Sequence, residues 1–135
     1  MYKNILVTIA LDHSRDNALA FDIARTLAAK GASITALNVL EEMPAYVETY
    51  LPQDHFDERL ADSEARLKAE LGGVADVKPV VISGHAATTI VSYAVDNNID
   101  CIVIASHRPG LQDYFLGSTA GRVVRHAPCA VHVVR

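Results

Sequence analysis

The sequence predicts a doubly wound α/β domain, five parallel strands with helices on both faces of the sheet, and three observations predict it. Five short runs rich in β-branched residues stand out along the 135 residues. The apolar residues inside them run almost without interruption, as in Ile5-Leu6-Val7 and Cys101-Ile102-Val103-Ile104, which is what strands covered on both faces require. Segments of helical spacing separate consecutive runs, and strands alternating with helices at these lengths form parallel sheets with right-handed crossovers.

The first strand is expected from Lys3 to Ala10, where β-branched and aliphatic residues dominate. A helix follows from Ser14 to Lys30, with Ala18, Leu19, Phe21, Ile23, Ala24, Leu27 and Ala28 on one broad apolar face. Ser14 is placed to cap its start and Gly31 its end. The second strand is expected from Ser33 to Leu40, and a connection from Glu41 to Gln53 carries Pro44, Tyr46, Tyr50 and Pro52. A connection of that length is either a lid or dimer surface, or a tethered excursion with its tyrosines packed down. A more polar helix from Asp54 to Leu71 stops at Gly72-Gly73, and a third strand is expected from Val77 to Ile82. The third helix runs from Ala86 to about Asn97 and the fourth strand from Asp100 to Ala105. The last helix starts at Ser118 and ends before Pro128, which cannot continue it, and the last strand is Ala130 to Val134.

Composition narrows the function. Half of the residues are apolar and 21% are charged, so one globular domain is expected, with no room for a separate substrate domain. Lys plus Arg gives 12 against 16 for Asp plus Glu, a formal charge of −4 with no cationic block. Sequence-independent nucleic-acid binding needs such a block and is not expected. No apolar run is long enough to cross a bilayer, and Met1-Tyr2-Lys3-Asn4 leads directly into a strand rather than a signal peptide. A cytoplasmic protein without membrane insertion is the expectation. Cys101 and Cys129 lack C-x-x-C spacing and read as buried free thiols, with no metal site.

Ligands of open α/β sheets bind outside the carboxyl ends of the strands. The richest of those ends is the fourth, Ser106-His107-Arg108-Pro109-Gly110, followed by Gly117-Ser118-Thr119 at the start of the last helix. Glycine admits close backbone approach, and the unpaired N–H groups of a helix start, supplemented by two hydroxyls, make a phosphate seat. The plainer reading of Gly-Ser alone is a helix start with Ser118 as its cap. Arg108, Arg122 and Arg125 fall near this helix start. The chain has neither G-x-x-x-x-G-K-S/T nor G-x-G-x-x-G, and it lacks the acidic pair and the later Asp of a phosphoacceptor receiver domain.

The stretches Ile104-Ala105-Ser106-His107-Arg108-Pro109, Leu116-Gly117-Ser118-Thr119-Ala120 and Val123-Val124-Arg125-His126-Ala127-Pro128-Cys129-Ala130-Val131 resemble the universal stress protein family, as does the opening Met1-Tyr2-Lys3-Asn4-Ile5-Leu6-Val7. The resemblance implies strand order 3-2-1-4-5, four helices, an adenine-nucleotide α-hydrolase-like fold and a cytosolic dimer. It also implies ATP, or ADP or AMP, at the ends of strands 1 and 4. The residues carried over are Ala10, Leu11, Asp12, Val39, Ser106, His107, Arg108, Gly110, Gly117, Ser118 and Thr119. Val39 would line the adenine slot, with Gly84 and His85 as another wall. Asp12 would meet the ribose or a Mg²⁺ ion, or else stand as an exposed loop residue favourable to the helix dipole.

This sequence departs from the nucleotide-binding branch of the family, whose pattern is G-x-x-G-x(9)-G-S/T. Ala105 and Arg108 replace the leading glycines, and eight residues rather than nine precede Gly117. Two functions follow. One is a stress-response protein in which bound nucleotide alters the dimer surface and the choice of an unidentified protein partner. The other is a nucleotide-free dimeric scaffold in which Arg108 fills the phosphate space, paired with Asp12 or Asp113. No nucleophile or general base stands beside the seat, so binding is expected, with hydrolysis or autophosphorylation slow and incidental. An ATP pyrophosphatase would need a Ser-Gly-Gly loop after the first strand, which is absent. The last strand, an uncovered edge, is expected to pair antiparallel with its copy in a homodimer, with Val131, His132 and Val133 at the seam.

Overall fold

The computed structural model describes residues 1–11, 14–41, 45–72, 76–106 and 116–135; the side chains of residues 14–16 and 48 fall outside that description. The elements in chain order are β1 (Tyr2–Thr8), α1 (Ser14–Leu27), β2 (Ala28–Glu41), α2 (Ala45–Glu48), α3 (Gln53–Leu71), β3 (Val77–Gly84), α4 (Ala86–Asp96), β4 (Cys101–Ala105), α5 (Ser118–His126) and β5 (Ala130–Val134). The sheet is five-stranded with order β3-β2-β1-β4-β5, and every pairing is parallel. The fold is the doubly wound α/β arrangement expected from the sequence, in the strand order that the family resemblance implies.

The uninterrupted apolar runs are explained by two cores. Ile5 and Val7 pack with Ala20, Phe21 and Ala24 of α1 and with Leu67 and Leu71 of α3. Leu6 points the other way, into a core shared with Ala87, Ile90 and Ala94 of α4 and Ala120 and Val123 of α5. Neighbouring side chains of one strand leave on opposite faces, so with helices on both sides the middle of the central strand, Ile5-Leu6-Val7, is buried throughout.

The first helix is shorter than its apolar periodicity predicts. It ends at Leu27, and β2 begins at Ala28 rather than Ser33. Tyr2 pairs with Ala28 and Asn4 with Ser33, so two steps along β1 match five along β2. The surplus forms a bulge containing Gly31, whose φ of +78° suits a glycine. Gly31 therefore turns the chain within β2 and does not cap α1. Gly72, by contrast, ends α3 as expected: its φ is +60° and its N–H donates to the Ala69 carbonyl.

The connection after β2 holds a four-residue helix, α2, which the sequence reading did not anticipate. Tyr46 and Tyr50 are 71% and 85% exposed, so its tyrosines are not packed down. Cys101 is buried and Cys129 only partly so, and both are free thiols.

At the amino ends of the strands, Asp100 accepts hydrogen bonds from the backbone N–H groups of Lys3 (2.8 Å) and Asn4 (3.0 Å). Its own N–H donates to the Asn4 carbonyl at 2.9 Å, and the Asn4 amide donates to the Asn97 carbonyl at 2.7 Å. Asn98 takes the left-handed conformation (φ +54°) in this turn. The link fixes β4 against β1 at the end remote from the cleft. Among the described residues, no helix is long and apolar enough to cross a membrane.

Candidate functional site

A cleft of about 620 Å³ opens at the carboxyl ends of the strands. Its floor comes from the ends of β1 and β2 and from Ala105 and Ser106 at the end of β4; the start of α5 forms one wall and α3 contributes to another. Of the residues the sequence singled out, Ala10, Leu11, Val39, Ser106, Gly117, Ser118 and Thr119 meet in this one space. Val39 also packs against the α4/α5 core, so its packing and lining roles coexist. Asp12, His107, Arg108 and Gly110 lie outside the described residues, as does Asp113.

The start of α5 is held by backbone bonds. The Ser106 N–H donates to the Val134 carbonyl (2.9 Å), and the Gly117 N–H donates to the Ser106 carbonyl (2.6 Å). The cap position is Gly117, with extended backbone and no side-chain cap bond, so Ser118 is the first helical residue and not the cap. The first i to i−4 bond runs from Gly121 N–H to the Gly117 carbonyl at 2.7 Å. Helix geometry therefore leaves the N–H groups of Ser118, Thr119 and Ala120 without an acceptor inside the helix, and all three residues line the cleft.

The first turn of α5 carries no acidic residue, so nothing there offsets the positive end of the helix dipole. Arg125, expected near this start, instead occupies the last turn with His126, where cations complement the opposite end of the dipole. Arg122 meets the His85 ring at 3.3 Å. His85 occupies the cap position of α4, its carbonyl accepting from the Thr89 N–H at 2.9 Å.

Sequence reasoning missed a polar group on the α1 and α3 side. Asn17, Asn38, Ser63 and Arg66 all line the cleft. The Asn38 amide N–H donates to the Ile9 carbonyl at 2.8 Å. The Asn17 amide donates to the Ala10 carbonyl at 2.9 Å, with the Glu70 carboxylate 3.3 Å away. These bonds hold the loop after β1 against β2 and α1. One signal was available: Asn38 is the only amide within the apolar run Ala36-Leu37-Asn38-Val39-Leu40.

The thiols take no part in the cleft. Burial, with Cys129 and Asp100 nearby, pushes the Cys101 thiol up to about 11. Burial, then Asp100, also raises Cys129. Such thiols stay protonated and are poor nucleophiles. Cys101 packs in the α1/α3 core and Cys129 against the other core, so the sheet separates them. Among the described residues, no three His, Cys, Asp or Glu side chains gather to hold a metal ion.

The sequence model of the universal stress protein family matches residues 1–135. The chain belongs to the universal stress protein family. A universal stress protein of Thermus aquaticus is 31% identical over 140 residues, covering all of both chains. Universal stress protein A homolog 2 of Coxiella burnetii is 30% identical over 99% of this chain and 95% of its own length. Among solved structures, the universal stress protein UspA of Lactobacillus plantarum superposes with a TM-score of 0.73 at 28% identity, covering 99% of this chain and 98% of that one. The strand order and the cleft at the carboxyl ends thus belong to a universal stress protein.

Proposed function

We propose that this universal stress protein binds an adenine nucleotide, ATP or its ADP or AMP counterparts, in the cleft at the ends of β1, β2 and β4, and acts as a nucleotide-dependent dimeric switch in the cytoplasm. The observation that carries the reading is the start of α5. Three N–H groups without helical acceptors, unopposed by any acidic residue in the first turn, belong to residues that line the same cleft as the ends of β1 and β2. That arrangement suits a phosphate at one end and a nucleoside across the strand ends.

Solved relatives support an adenine ligand. One universal stress protein is captured with cAMP and an Arabidopsis thaliana member with AMP; at 22% and 16% identity they share the fold with this chain. In the proposed complex, Asp12 meets the ribose or a Mg²⁺ ion accompanying the nucleotide, and His107, Arg108 and Gly110 surround the phosphates. Bound nucleotide alters the surface offered to a protein partner, with binding rather than turnover as the activity.

The switch acts through a homodimer formed by residues 130–134. The two edge strands support the choice of edge. β3 contains Pro79, which removes a donor from its ladder, whereas β5 has no proline and exposes Ala130 and His132. Antiparallel pairing of two β5 strands would use the open edge.

The second reading, a nucleotide-free scaffold, draws on Ala105 and Arg108 standing at the two leading glycine positions. Isothermal titration with Mg-ATP and with AMP separates the two. Saturable heat is expected for the switch, and no heat at millimolar ligand would leave the scaffold.

A further inference from the structure

The polar group on the α1 and α3 side of the cleft has an unusual hydrogen-bond balance. Asn17, Asn38 and Ser63 are only 4%, 8% and 6% exposed, yet all three line the cleft. The amide nitrogens of Asn17 and Asn38 are committed to the Ala10 and Ile9 carbonyls. This fixes which end of each amide is which, leaving Oδ1 as the end with bonding capacity to spare. Neither Oδ1 nor the Ser63 hydroxyl makes a hydrogen bond among the described residues. No side-chain oxygen there is both sealed from solvent and unpaired, so these oxygens reach open space. The three come from three elements, α1, β2 and α3, and point to a ligand that brings hydrogen-bond donors.

Their place in the sheet identifies which part of a nucleotide that is. In the order β3-β2-β1-β4-β5, β2 lies two strands from β4, about 10 Å at the usual strand spacing. A phosphate on the start of α5, beside the end of β4, puts the ribose over β1 and the base over β2, where Asn38 and Val39 stand. The donors on an adenine are the two N–H bonds of its exocyclic amine.

We propose that Asn38, supported by Asn17 and Ser63, is the specificity-determining residue of the base site, its Oδ1 accepting from the exocyclic amine of adenine. This rests on the nucleotide reading above. A base without that amine leaves the acceptors desolvated and unpaired, which weakens binding by about tenfold. Selectivity for the amine, rather than affinity as such, is the signature of the site.

The experiment compares AMP with purine riboside 5′-monophosphate, which differs only in lacking the amine, by isothermal titration on the full chain. The unaltered protein is expected to bind AMP about tenfold more tightly. In Asn38→Leu the two ligands should bind with nearly equal affinity, and in Ser63→Ala, which breaks no existing bond, the ratio should fall part of the way. Equal affinities in the unaltered protein would overturn the inference without needing any variant to fold. So would a ratio unchanged in a folded Asn38→Leu. Absence of binding by both ligands would overturn the nucleotide reading itself, a result distinct from either.

Discussion

Gly84, the last residue of β3, shows how closely the strand ends approach the helices. A Cβ built on it would stand 2.5 Å from the Thr89 Oγ1 on the first turn of α4, and a β-branched side chain in a helix has little rotamer freedom with which to retreat. Gly84→Ala is expected to destabilise the fold by about 1–3 kcal/mol in urea titration, and adding Thr89→Ala should recover part of the loss. Asp100 is the second sensitive residue, since its carboxylate takes two backbone N–H groups at the start of β1. Asp100→Ala should cost about 1–3 kcal/mol by the same assay, because both donors lose their acceptor. The Cys101 thiol gives a pH dependence. Its native pKa is raised to about 11 by burial, so between the ordinary thiol range and pH 11 the unfolded chain gives up a proton that the folded chain keeps. Stability should therefore fall as pH rises through that window, and Cys101→Ala should flatten this part of a denaturation profile recorded from pH 8 to 11.

At the scale of the element, α5 offers a prediction in which fold and function move in opposite directions. A carboxylate introduced by Ser118→Asp would interact favourably with the positive end of the helix, stabilising it by about 0.3–1 kcal/mol. The same carboxylate would repel a phosphate from the three N–H groups. A higher melting temperature together with at least tenfold weaker nucleotide binding is expected; unchanged binding would move the phosphate elsewhere.

Elements were the most legible level of the sequence, because continuous apolar runs and helical spacing report directly on burial. The exceptions have physical causes. The bulge of β2 is invisible in an apolar pattern, since register is set by the partner strand, and Gly31 serves a bulge as readily as a helix end. The four-residue α2 is too short to show a period. At the site, the glycine and hydroxyls of α5 were legible from their spacing. Asn17, Ser63 and Arg66 were not, because they come from helices whose facing is decided only when α1 and α3 pack beside the strand ends. Asn38 did carry a signal, as an amide in an apolar strand, but it was missed with the others.

For the whole molecule, the edges of the sheet matter most. One edge strand, β3, carries Pro79, and the other, β5, is five residues long with alternating partial exposure. A dimer mass is expected by light scattering at micromolar concentration, and a monomer mass would remove the proposed switch surface. The net charge of −4 leaves an anionic ligand dependent on local fields, and the backbone at the start of α5 supplies one. The proposed seat of the nucleotide phosphate is therefore this helix start. It is tested most directly by following backbone amide resonances in a ¹H–¹⁵N NMR titration with AMP. Saturable shifts of the Ser118, Thr119 and Ala120 amides, together with those of Ala10 and Val39, are the predicted result. Saturable binding that leaves the three α5 amides unmoved, or no binding at millimolar AMP, would contradict it.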